Sequence, residues 1–207
     1  MLPETVVYDV DLTLSLPAEM TRVSSINALA HAVEALCAPD ANPVVDGMAL
    51  QAISGIVGAL PAVLDRPGDR EARGTLLQSA WLAGNCLASV AMGLHHKLCH
   101  TLGGSFALPH AQTHAAMLPH TMAYNAPAAA DAMARIAEAM GVSDAPTGVF
   151  ALVSSLGGPS SLAELGFARE SIDQAAELAA AAGYPNPREV TCESIAATVP
   201  TPAGVLS

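Results

Sequence analysis

Residues 93–125 read GLHHKLCHTLGGSFALPHAQTHAAMLPHTMAYN and hold six of the chain's seven histidines together with its only lysine, Lys97. His96 and His100 are four residues apart, as are His110 and His114, so each pair projects from one face of a helix. His95 and Lys97 flank His96 on other faces of the same turn. The seventh histidine, His31, lies in SSINALAHAVEAL (24–36), four residues after Asn27 and three before Glu34. Imidazoles on separate helices can converge in a helical core, the usual way in which bundles build polar or metal sites. His31, His96, His100 and His110 read as such a set, whereas His114 and His120 read as hydrogen-bonded structural residues.

Working outward from that stretch, the sequence predicts an all-α fold opened by one short strand. TVVYDVDL (5–12) alternates and is β-branched, and it has no partner strand. A first helix is expected from Ser24 or Ser25 to before Pro39, with Ile26, Leu29, Ala30, Val33 and Leu36 as its apolar face. Asn42-Pro43 is an N-cap followed by an N1 proline and opens a second helix to about Leu60. Gly68-Asp69 opens a third, whose apolar run ends near Gly93. Gly103-Gly104 reads as a helix-terminating turn. Downstream, residues 126–140, 146–157, 168–183 and 191–199 are amphipathic segments punctuated by Gly or Pro and rich in alanine, a strong helix former. The expected organisation is strand and linker over 1–16, a helical domain over 17–200 and a flexible tail over 201–207.

Composition excludes several function classes. At 207 residues the chain has ample length for a core. A net charge of -11, with eight Lys plus Arg and 3% aromatics, offers nucleic acid neither a basic face nor a stacking platform. Cys37, Cys86, Cys99 and Cys192 form no C-x-x-C pair, which argues against a zinc ribbon or a disulfide framework and for reduced thiols in the cytoplasm. The acids among the first dozen residues are unlike a signal peptide. The charge-free runs 47–64 and 74–94 are long enough to raise the question of membrane spans, but glycines, Pro61, Gln51, Gln78 and Asn85 interrupt them and no aromatic or basic belt flanks them. They read as buried helices, and no membrane partner is expected.

SSINALAHAVEAL and GLHHKLCHTLGGSFALPHAQTHAAMLPHTMAYN together resemble the second domain of the iron-containing alcohol dehydrogenase family, and within it the maleylacetate reductase group. The resemblance covers essentially the whole chain. It implies a D-x-x-x-H, H-x-x-x-H-x-L-G and P-H pattern in which an aspartate and three histidines hold iron or zinc. Carried over, the metal positions are Asn27, His31, His96 and His110, and His100 matches a histidine beside the nicotinamide. This chain departs from the pattern at Asn27. An asparagine offers a neutral carbonyl where an aspartate offers an anionic oxygen, and three neutral imidazoles do not restore the charge.

What the resemblance implies is a reductase that works without a metal, taking maleylacetate to 3-oxoadipate in the degradation of aromatic compounds. A dianionic enone needs cations for its carboxylates and a proton donor for the enolate left by hydride addition. Lys97 and His95 are the candidates for carboxylate binding and His100 for the acid, with His31, His96 and His110 orienting substrate or water. NAD(P)H would bind an upstream α/β domain, because Gly103-Gly104 follows no strand and lacks the dinucleotide fingerprint. The expectation is the substrate half of a two-domain enzyme, inactive by itself and assembling as a homodimer. Two alternatives stand beside it: an iron- or zinc-dependent alcohol dehydrogenase or zinc hydrolase domain, and a non-catalytic metal-binding helical module.

Overall fold

The computed structural model describes residues 5–200. Nine α-helices occur among them: α1 (Ala18–Cys37), α2 (Pro43–Asp65), α3 (Arg70–Ser89), α4 (Leu94–Phe106), α5 (His110–Asn125), α6 (Ala130–Met140), α7 (Ala145–Ser155), α8 (Ile172–Ala180) and α9 (Cys192–Thr198). The all-α expectation holds. The opening strand does not: residues 5–9 are exposed coil, and Val10–Thr13 form a single 3-10 turn. With no neighbouring strand among the described residues to take its ladder bonds, this segment turns instead on the Asp9 carboxylate, which accepts from the Asp11 N–H at 2.9 Å. The tail expected over 201–207 lies outside the described residues.

Several helix ends also differ from the sequence reading. α1 starts at Ala18, directly after Pro17, because nothing between Pro17 and Ser24 breaks a helix. α2 opens as expected, with the Asn42 side chain accepting from the N–H groups of Val44 and Val45 at 3.2 Å. It then continues through Pro61 to Asp65, with Leu60 and Val63 buried on either side of the exposed proline. Gly103-Gly104 lies inside α4 and does not end it. The stop is made by Ala107, left-handed at φ 56°, and the Leu108 N–H bonds back to the Leu102 carbonyl at 3.4 Å.

The helices enclose two apolar cores. The larger one joins α1, α2, α3, α6 and α7 through residues such as Ile26, Leu29, Ile53, Ile56, Leu60 and Ile136. α2 is long and apolar enough to cross a membrane by length and composition, but its apolar side is spent against α1, α3 and α6. The smaller core joins α4, α8 and α9 through Leu94, Leu98, Leu102, Ala175, Ala179 and Ile195. α5 belongs to both, giving Ala115, Leu118 and Met122 to one and Ala116 and Met117 to the other. The polar residues of α1, α4 and α5 meet at this seam.

Candidate functional site

Glu34 organises the seam. Burying a carboxylate is costly unless its oxygens are fully bonded, and here they are. Oε1 accepts from the His95 N–H at 2.8 Å, and Oε2 from the N–H groups of Gly93 at 3.2 Å and His96 at 3.3 Å. The remaining free N–H of this first turn, that of Leu94, donates to Asn186 Oδ1 at 3.3 Å. Asn186 is in turn paired with Asn125, so α1, α5 and the loop before α9 jointly cap α4. Gly93 suits the close packing there, since a Cβ would lie 3.1 Å from Asn186 Oδ1 and from the Pro185 carbonyl and its neighbours would have to give way slightly.

The same carboxylate fixes the first imidazole, with His96 Nδ1 at 2.6 Å from Glu34 Oε2. Because a carboxylate oxygen only accepts, His96 Nδ1 carries a proton towards Glu34, and His96 Nε2 is buried and without a partner. A second lock lies behind it. The Thr121 hydroxyl shares its single proton between the Met117 and Leu118 carbonyls, which leaves its lone pairs to accept from His95 Nδ1 at 3.0 Å. His95 Nε2 then accepts from His114 Nδ1 at 2.9 Å, and His114 Nε2 is likewise buried and without a partner.

The other residues extend from this buried back wall to an open mouth. His31 stacks on His96 with ring centroids 4.9 Å apart, and Asn27, half-buried one turn earlier, leaves its Oδ1 without a partner. His100 and His110 are exposed and stacked at 5.8 Å, and His110 is tilted against His114 at 4.4 Å. Lys97 is half-buried on the neighbouring face of α4. Ring nitrogens of His100, His110 and His114 all lie within 4.8 Å of one another. Burial is the main cause of the basicities: it lowers His31 to about 4 and His114 to about 2, holds His95 well below the usual imidazole range, and lowers His100 and His120 too. Neighbouring imidazoles lower the first four further.

Six of the seven sequence candidates, Asn27, His31, His95, His96, His100 and His110, thus share one cluster, with Lys97 beside it. His120 is separate: it is buried, with Phe150 edge-on to its ring at 6.4 Å, but its Nε2 has no partner, so the hydrogen bond expected of it is not made. His114 departs from expectation, since it joins the buried and exposed histidines; its four-residue spacing from His110 was the available signal. Glu34 carried a weaker one, sharing a helix face with Asn27 and His31. Asn125, Asn186 and Thr121 carried none, because their role depends on contacts made across the fold.

The family's metal set finds a poor fit here. Asn27 brings no charge, and Glu34, the carboxylate nearest the cluster, is consumed by three N–H groups and His96. The donors left over are neutral, which is a weak set for a hard or borderline cation that an aspartate would otherwise hold.

Fold and site together define a helical domain that builds a polyhistidine centre on the seam of two apolar cores. The sequence profile described as Fe-containing alcohol dehydrogenase family, C-terminal, matches residues 21–201, and the chain belongs to that family. Maleylacetate reductase 1 of Rhodococcus opacus is 52% identical over 195 residues, 94% of this chain and 55% of the relative. The maleylacetate reductase of Sphingobium indicum gives the same identity and coverage. The crystal structure of maleylacetate reductase from Agrobacterium tumefaciens superposes with a TM-score of 0.93 at 48% identity, covering 96% of this chain and 56% of that one. A 1,3-propanediol oxidoreductase structure reaches 0.87 at 33% identity, over 92% of this chain and 53% of that one. The chain therefore spans about half the length of the relatives it matches.

Proposed function

We propose that these residues form the substrate domain of an NAD(P)H-dependent maleylacetate reductase in the bacterial cytoplasm, with the nucleotide bound by a separate α/β domain. The observation that carries this reading is the arrangement of Lys97, His100 and His110 at the open side of a cluster whose buried side is closed by Glu34 and its bonded histidines, in a chain 52% identical to maleylacetate reductases. The buried Glu34 carboxylate repels another carboxylate, so a dianion is held at the mouth, where the Lys97 ammonium supplies charge. Hydride from the nicotinamide adds to one alkene carbon of the enone, and the resulting enolate takes a proton at the other. His100 is the proton donor: a dianion beside it favours the charged imidazolium and offsets the lowering caused by burial. His95 is fully buried with both ring nitrogens bonded, so its part is to hold His114 and not to touch carboxylate. No step in this scheme passes through a metal.

The test uses the complete two-domain enzyme, assayed for NADH- and NADPH-dependent maleylacetate reduction with and without chelator. Activity should be unaffected by chelator. Lys97→Ala should raise KM at least about tenfold with a smaller change in kcat, and His100→Ala should lower kcat by roughly 10²–10⁴-fold. Full activity in both variants would refute the assignment.

A further inference from the structure

We infer that a cavity beside the first turns of α1 is a binding site for a small hydrophobic monocarboxylate, held by Arg73. Arg73 lies on α3, is only 3% exposed and always carries its charge. Among the described residues it makes no ion pair: the carboxylates of the adjoining turns are taken, Asp69 by Arg66 at 2.9 Å and Asp11 by Arg70 at 3.0 Å. Its Nε donates to the Pro67 carbonyl, which leaves the terminal fork of the guanidinium without an acceptor among the described residues. A buried charge with no anionic partner is costly, and an anion that fills the place offsets that cost. Thr21 supplies a second, independent orphan, since it is buried and its Oγ1 has no hydrogen-bond partner. Both side chains line the same cavity.

The rest of the lining sets the shape of the ligand. Leu16, Ala28, Ile56, Leu76, Leu77 and Ala80 make the cavity apolar, and its volume is about 120 Å³. An apolar cavity of about 150 Å³ accepts benzene, so this one has room for a ring or a chain of roughly four to six carbons but not for a nucleotide. Ser24 and Ala80 are exposed, so the cavity opens to solvent. A carboxylate suits the fork because its two oxygens accept in parallel from the guanidinium, and the Thr21 hydroxyl can donate to one of them. The walls favour a monoanion. Leucine and isoleucine give a second charge no partner, and Asp11, Asp69 and Glu71 lie around the start of α3. The site is separate from the histidine cluster: its lining includes no histidine, and Thr21, Ser25 and Ala28 occupy a face of α1 beside the one that bears Asn27 and His31.

The test is calorimetric titration of the 207-residue chain with sodium benzoate and sodium hexanoate, with acetate, succinate and benzamide as controls. One equivalent of benzoate or hexanoate should bind with a Kd below about 1 mM. Acetate lacks the apolar body, succinate adds a second charge and benzamide has none, so each should bind at least about tenfold more weakly. Arg73→Met should abolish benzoate binding, Thr21→Val should weaken it about threefold or more, and Ala80→Phe should block it by filling the cavity from an exposed position. Circular dichroism checks that the Arg73 variant folds, and Thr21→Val with Ala80→Phe decides the matter if it does not. Lys97→Ala and His100→Ala should leave the Kd within about twofold, because the cavity does not include them. The site would be overturned by benzamide binding as tightly as benzoate, by binding that survives Ala80→Phe or is lost in Lys97→Ala, or by a Kd above about 1 mM for both carboxylates.

Discussion

At the residue scale, Glu34 is the side chain on which most depends. It satisfies three N–H groups at the start of α4 and fixes His96, so truncation leaves all four without their partner in a buried setting. Glu34→Ala should lower the unfolding free energy by about 3–5 kcal/mol, read from urea denaturation, far more than an exposed glutamate such as Glu19. The histidines give a pH signature. His31 and His114 titrate near 4 and 2 in the folded chain against 6.5 when unfolded. Between those values the unfolded state binds more protons, so stability is complete above about 6.5 and falls as pH drops toward 4 and below. Thermal denaturation followed from pH 7.5 to 4.5 should show a falling Tm, and His31→Ala should flatten part of the slope; a Tm that rises on acidification would contradict the buried, neutral state. The presence and spacing of these residues were legible in the sequence. The tautomers were not, because they follow from Glu34 and Thr121, which are brought to the rings only by packing.

At the element scale, two glycines of α2 separate helix propensity from packing. Gly58 is exposed with nothing within 4 Å of an added Cβ, so Gly58→Ala should stabilise by about 0.5–1 kcal/mol. At Gly55 the added Cβ would lie 2.2 Å from Ser79 Oγ, which is buried and bonded to the Thr75 carbonyl at 2.7 Å. Gly55→Ala should therefore destabilise by about 1–3 kcal/mol despite the same gain in propensity, because α2 and α3 must separate or Ser79 must give up its bond. Paired thermal melts of the two variants check the opposite signs. Helix starts with side-chain caps, at Asn42 and Asp69, were readable from sequence because the chemistry is local. The ends of α1 and α4 were not. Pro17 and Gly103-Gly104 are compatible with either continuation or termination, and tertiary contacts of Leu94, Leu98 and Leu102 with α8 and α9 decide where α4 lies.

At the scale of the whole molecule, the polar centre exists because two apolar cores meet along α5, and its open side carries His100, His110 and Lys97. Under the proposed function, hydride transfer needs the nicotinamide held within contact distance of the substrate by another domain. The 207 residues alone should give no micromolar change in Trp81 fluorescence on NADH titration, and tight binding would contradict a separate nucleotide domain. The sequence by itself determined the all-α class, the site's ingredients and the neutral Asn27, since periodicity, spacing and residue charge are properties of the chain read locally. Only the tertiary structure decided that the opening segment is not a strand, that Glu34 caps α4, and that His114 belongs with His100 and His110. The Glu34 cap spans 61 residues and the His95 bond that orients His114 spans 19, and hydrogen-bond satisfaction in a buried seam is settled by what the fold places there.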